Sequence, residues 1–217
     1  MRSLFSPLFL VLYLLPVALA EYNKAQVKIQ NNTPDTLSGV GVAHKYSDNY
    51  KNDYTWEESI VPGATSTETM TVEYNTGWLT TGRDWWMVTY HRNVPSAERS
   101  GELKMWYTAP KNLRNVIDIL EQMAPKLIKA AIDKLKKPGD PRKMAAGVAA
   151  GVVSKVMCKL MFNDESTDGF KQHILREADE DRVTTIVINA DNTVTFKSKS
   201  GNSNTGTDTR WVAVEYA

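Results

Sequence analysis

The sequence predicts a mainly β protein with an α insertion, an antiparallel β-sandwich interrupted by a helical hairpin. Three observations carry that expectation. Apolar and polar residues alternate in short runs from Glu21 to about Thr108; apolar residues then recur every three or four positions from about Asn112 to Phe162; alternation resumes after Asn163. Strand side chains point to opposite faces in turn while a helix repeats every 3.6 residues, so each change of period marks a change of element. Strand-like sequence on both sides of the helices makes them an insertion, at about 112–162, in a single domain of residues 21–217.

Ahead of that domain, residues 1–20 read MRSLFSPLFLVLYLLPVALA, with a basic Arg2, an apolar run from Leu8 to Leu15, the helix breaker Pro16 and the small residues Ala18 and Ala20. This is the layout of a secretory signal peptide cleaved after Ala20, and it predicts a secreted, extracellular protein. The first strands follow. VKIQ sets Val27 and Ile29 on one face, GVGVAHKY sets Val40, Val42, His44 and Tyr46, DYTWEESI sets Tyr54, Trp56 and Ile60, and MTVEY sets Met70, Val72 and Tyr74. Between them Asn31 to Asp35, Pro62-Gly63, Asn75 to Gly77 and Asn93 to Pro95 supply turns. Asn31-Asn32-Thr33 is the one sequon, which makes Asn31 a candidate glycosylation site.

The aromatic-rich stretch YNTGWLTTGRDWWMVTY sets a question of its own, because Trp85 and Trp86 are neighbours. In DWWMVTY the row Trp86, Val88 and Tyr90 is the more uniformly apolar, so it is placed inward, leaving Trp85, Met87 and Thr89 outward. ELKMWY alternates on Leu103, Met105 and Tyr107, with Trp106 placed on the outer side; in the closing RWVAVEYA, Trp211 is placed outward as well. Trp85, Met87, Trp106 and Trp211 are therefore the candidate ligand-binding residues. Two readings stand: the helices cover these side chains and form a second core, or some stay exposed and offer ring faces to a lipid headgroup, a sugar or a partner protein.

Leu113, Val116, Ile117, Leu120, Ala124, Leu127, Ile128, Ala131 and Leu135 follow helical steps, with Pro125 expected to kink or divide the helix. Gly139, Asp140 and Pro141 supply a stop, an N-cap and a first helical residue. The second helix, KMAAGVAAGVVSKVMCKLMF, is apolar almost all round apart from the line Lys143, Gly147, Gly151, Lys155 and Lys159. Its uncharged stretch from Met144 to Ser154 is too short to span a bilayer, and no transmembrane segment is expected. FKQHIL, VTTIVIN, TVTFKSKS and RWVAVEYA then return to strands, with Ala190-Asp191-Asn192 as a hairpin turn.

Composition removes several function classes. Without Arg2 the chain has 25 basic and 25 acidic residues, which speaks against wholesale nucleic-acid binding. The single cysteine, Cys158, forms no internal bridge and is either a buried inert thiol or half of an intermolecular disulfide. None of His44, His91 and His173 stands in an HExxH or nucleophile-elbow setting, and GVGVAH lacks the third glycine and following helix of a dinucleotide site; no enzyme activity and no cofactor are expected. Asp164, Ser166 and Asp168 occupy positions of an EF-hand-like loop, but its twelfth residue is Leu175 where a bidentate Glu is needed, so calcium is a weak candidate.

NNTPDTLSGVGVAHKYSDNYKNDYTWEESIVPGATS, continued by MTVEYNTGWLTTGRDWWMVTY and later by DGFKQHILREADED, resembles the Up-regulated-in-Daf (PUD) domain family over residues 31 to 90 and about 168 to 200. The resemblance implies a β-sandwich similar to that of aegerolysins, no assigned enzymatic activity, and a tendency to pair with a related chain as a homo- or heterodimer. Since aegerolysins recognise membrane sphingolipids, it also implies lipid recognition at second hand. The helical pair departs from the compact domain of that family. The leading expectation is thus a secreted, non-enzymatic recognition module for a lipid or glycan surface or for a related chain. Its alternatives are a purely structural assembly protein and a hydrolase whose site is scattered through the sequence.

Overall fold

The computed structural model describes residues 20–214 apart from 48, 78–79, 81, 100, 110–123, 136–145, 164–166 and 168. The expected signal peptide, the helical sequence before Ala124, the Gly139-Asp140-Pro141 break and the calcium candidates Asp164, Ser166 and Asp168 lie outside the described residues. Seven strands come first: β1 (Glu21–Asn32), β2 (Leu37–Tyr46), β3 (Tyr50–Trp56), β4 (Met70–Thr76), β5 (Asp84–Arg92), β6 (Glu98–Arg99) and β7 (Glu102–Thr108). Helices α1 (Ala124–Leu135) and α2 (Ala146–Asn163) follow, then β8 (Lys171–Gln172), β9 (Val183–Asn189), β10 (Thr193–Ser198) and β11 (Gly201–Ala213). Pro125 sits in the first turn of α1, where its missing N–H has no intrahelical partner to lose.

The strands form one sheet in the order β3-β2-β5-β7-β11-β10-β9-β1-β4, with β6 on β7 and β8 on β5. It is barrel-like rather than a strict two-layer sandwich. One long strand serves both halves, since Gly201–Gly206 of β11 pair with β10 and Thr207–Ala213 pair with β7. The two ends of the path are drawn together by hydrogen bonds: the Trp56 indole donates to Glu68 O (2.9 Å), the Tyr46 hydroxyl to Asn75 O (2.9 Å) and the Glu73 amide to Asn52 Oδ1 (3.1 Å). One pairing departs from the antiparallel expectation, because β1 and β9 run parallel, from Gln26↔Val183 to Asn32↔Asn189. Period-two alternation is the same in either sense; direction is set by where the chain re-enters the sheet, which alternation does not encode.

Two apolar cores result. The barrel interior is built on residues such as Val40, Val42, Trp56, Trp86, Val88 and Phe196; a second core, between sheet and helices, holds Ala43, Met87, Met105, Tyr107, Val153 and Met157. Strand β2 is buried along its whole length because one face lines the barrel and the other lies under α2. Its outer face is cut down to let the helix in. A β-bulge between Ser38 and Gly41 carries Gly39 at φ +55°, where a Cβ would lie 2.4 Å from the backbone of Ala150 and Gly151. At Gly41 a Cβ would lie 2.9 Å from Cys158 Sγ. The GVG run is thus a helix seat, and the Ser154 hydroxyl closes it by donating to Gly39 O. Cys158 is buried in that contact, and burial pushes its thiol pKa up, the direction of an inert group. Among the described residues no helix is long and apolar enough to cross a membrane.

Candidate functional site

Residues four apart on a helix share a face. On α2 the buried rows Ala149, Val153, Met157, Met161 and Ala150, Ser154, Cys158 face the sheet. The adjoining rows Gly147, Gly151, Lys155, Lys159 and Val148, Val152, Val156 instead line a groove of about 570 Å³, together with Ala131 of α1 and Thr55 and Glu57 at the end of β3. A Cβ added at Gly151 would meet nothing within 4 Å, so at that position the missing side chain leaves the groove open.

The groove continues into a polar cavity of about 350 Å³ lined by Asp53, Tyr54, Thr55, Glu57, Glu68 and Lys155; Thr55, Glu57 and Lys155 belong to both. Glu68 is held by its loop: the Glu58 carboxylate accepts from the Thr67 amide (2.8 Å), the Thr67 hydroxyl (2.8 Å) and the Glu68 amide (3.2 Å). The Tyr54 hydroxyl donates to Glu68 Oε2 at 2.8 Å, and that carboxylate raises the phenol above its ordinary pKa. The Thr55 hydroxyl oxygen is buried with no hydrogen-bond partner. An apolar trough with a few convergent polar groups at one end is the usual construction of a small-molecule site.

A second polar cluster lies inside the barrel. His44 Nε2 stands 2.8 Å from Asp84 Oδ1, with both side chains 0% exposed, and His44 Nδ1 stands 3.3 Å from Asn52 Oδ1. Asp84 also anchors the segment after β8: its other carboxylate oxygen accepts from Leu175 N (2.8 Å) and its carbonyl from His173 N (3.2 Å), while the Trp86 indole donates to His173 O (2.8 Å). A histidine beside a carboxylate suits general-base chemistry, but that role needs a substrate within hydrogen-bond reach. These two groups are sealed and tie down a strap. Among the described residues no group of three or more His, Cys, Asp and Glu could hold a metal ion.

A family model described as "Up-Regulated in long-lived daf-2" matches residues 21–207. The chain belongs to this family. No curated protein matches it. The sequence-predicted residues of this PUD domain do not converge on one exposed face. Met87 is buried under α2, and Trp85 is half-buried against the same layer. Trp106 is inward rather than outward: it pairs with Tyr90, and the two rings stack in the barrel interior with centroids 6.0 Å apart. Leu103, Met105 and Tyr107 are the residues of β7 that face the helices. With both faces of β7 covered, both rows are apolar and alternation gives the phase of the strand without its polarity. Trp211 lies opposite Lys104, on the Trp106 side of the sheet and away from Val212, and the Arg99 guanidinium caps its ring at 4.0 Å.

Asn31 is corrected as a glycosylation site. It is fully buried, its amide nitrogen donates to Asp35 O and Ile60 O, each at 2.8 Å, and its oxygen accepts from the Thr33 amide and hydroxyl. The sequon is an Asx-type turn that fixes the β1–β2 corner and has no room for a glycan in this fold. The groove residues of β3 and its following loop were missed. The one signal for the groove was the four-residue line through Gly147, Gly151, Lys155 and Lys159.

Proposed function

We propose that the protein is a secreted, non-enzymatic recognition module that takes an apolar ligand of the lipid class into the groove along α2. The observation that carries this reading is the lining: Val148, Val152 and Val156 beside Gly147 and the open position of Gly151, ending at Thr55 and Glu57. Among the ligand classes expected, lipid is favoured over glycan because Trp106 is internal and the Arg99 guanidinium lies over the Trp211 ring, so the candidate tryptophans form no joint open platform for sugar rings. Secretion is supported by the sequence of residues 1–20 and by a family match that begins at residue 21. The full burial of His44 and Asp84 favours a non-enzymatic role.

The test is titration of the mature protein with a single-chain lipid bearing a fluorescent tag. Saturable binding is expected, weakened about tenfold or more in Gly151→Phe, whose ring would enter the groove at the cost of buried apolar contact. Equal binding by the variant would overturn the reading. A second reading, pairing with a related chain, is favoured by the exposure of Val148 (55%) and Leu127 (44%) on the helical layer. Sedimentation equilibrium of the protein, alone and as Val148→Glu, distinguishes the two.

A further inference from the structure

We propose that the ligand of this groove is a free single-chain amphiphile with an ammonium head, its chain along the valines of α2 and its head among Asp53, Glu57 and Glu68. The inference rests on the groove being the binding site. Size argues for a single chain. An α-helix with side chains is about 10–12 Å across, so a space of 570 Å³ holds roughly one helical turn and would leave most of a helical partner outside.

Charge argues for the head. The polar end presents three carboxylates, Asp53, Glu57 and Glu68, against one ammonium, Lys155. Among the described residues Lys155 makes no ion pair with any of them, and the side chains of Asp53 and Glu57 accept no hydrogen bond, so both carboxylates remain available to a cation. Tyr54 also lines this cavity, and its hydroxyl holds the Glu68 carboxylate there. Thr55 stands where the two cavities meet, and its buried hydroxyl lacks a partner that the first polar atom beyond the chain would supply. An anionic head would meet three carboxylates of like charge with Lys155 as its one opposite charge in that cavity.

Dodecylamine, dodecanol and dodecanoate share one chain and differ only in head charge. Each is to be measured below its micelle concentration, at neutral pH, by displacement of the tagged lipid from the full mature protein. The amine is expected to bind about tenfold or more tightly than the carboxylate, with the alcohol between, the scale of a part-buried ion pair. In Asp53→Asn/Glu57→Gln that ratio should fall below about threefold, folding being checked by circular dichroism. Equal affinities, or tighter binding of dodecanoate, would overturn the ammonium head and leave the groove standing. A full amine preference in the double variant would overturn this placement of the head. Binding of none of the three, with no displacement of the tagged lipid, would overturn the groove itself.

Discussion

The barrel interior and the helical layer are held by different means. The interior is pinned by directed polar contacts: His44 to Asp84, Trp86 to the carbonyl of His173, and Asn31 to the carbonyls of Asp35 and Ile60. The helical layer is held by shape, with α2 set on two glycines, methionines filling the gap and the Ser154 hydroxyl on Gly39 O as a polar fastening. Directed bonds specify one arrangement, whereas packing against a flat strand tolerates change on the side it does not use. The unused side of α2 is where the groove lies.

The largest expected effect falls on the interior. Asp84→Ala would orphan His44 and the Leu175 amide inside the barrel, and the expected loss is about 3–5 kcal/mol of stability, read from urea unfolding. A loss under about 1 kcal/mol would show that the pins are not what separates the two regions. Gly39→Ala comes next. It forces a side chain into a positive φ and against the backbone of α2, with an expected loss of about 2–4 kcal/mol. Far-ultraviolet dichroism should show helix lost first, and simultaneous loss of barrel signals would mean that the layer is not separable.

A pH titration separates the regions further. Burial lowers the pKa of His173, whose ring stacks on Phe196 and whose Nδ1 lies 3.0 Å from Ser203 Oγ. Asp179 and Asp84 oppose that shift and Lys171 adds to it. A folded state that holds a base below its unfolded pKa binds fewer protons, so the contribution is present above about pH 6.5 and is lost as pH falls from there toward the lowered value. Urea midpoints should therefore fall below about pH 6.5, by at most about 1.4 kcal/mol per pH unit from this group, and His173→Gln should flatten that limb. The smallest effect, and the one of opposite sign, belongs to the groove. Gly151→Ala meets open space and should raise stability by about 0.5–1 kcal/mol, because it removes a helix-interior glycine. Destabilisation there would mean the groove is closed by contacts that the shape account lacks.

Much of the barrel was legible in the chain. Val27, Ile29, Val72, Trp86, Val88 and Tyr90 face inward as their spacing predicts, and the two helices interrupt the strands where the period changes. What alternation left out is whatever depends on the second layer. GVGVAHKY reads as half-buried, yet β2 is buried throughout because α2 returns over it from a hundred residues downstream in the sequence, seated on glycines whose purpose is visible only beside Ala150. The same return brings Lys155 to Asp53, Thr55 and Glu57, four residues that nothing in either local pattern relates. The Asn31 sequon shows the converse: a motif read by rule, whose hydrogen-bonding capacity the corner already uses.

The parallel pairing of β1 with β9 has a kinetic consequence. Gln26 leaves the ribosome early and must wait for Val183 before that side of β1 is covered, while β11, which joins the halves of the barrel, comes later still. Closure therefore belongs to the end of synthesis, and the contacts that complete it span most of the chain, the topology that folds slowly. Until then β1 offers an open strand edge, the surface on which nascent chains cross-pair. Folding of this protein should accordingly depend on holding early strands apart for the time it takes to make the late ones.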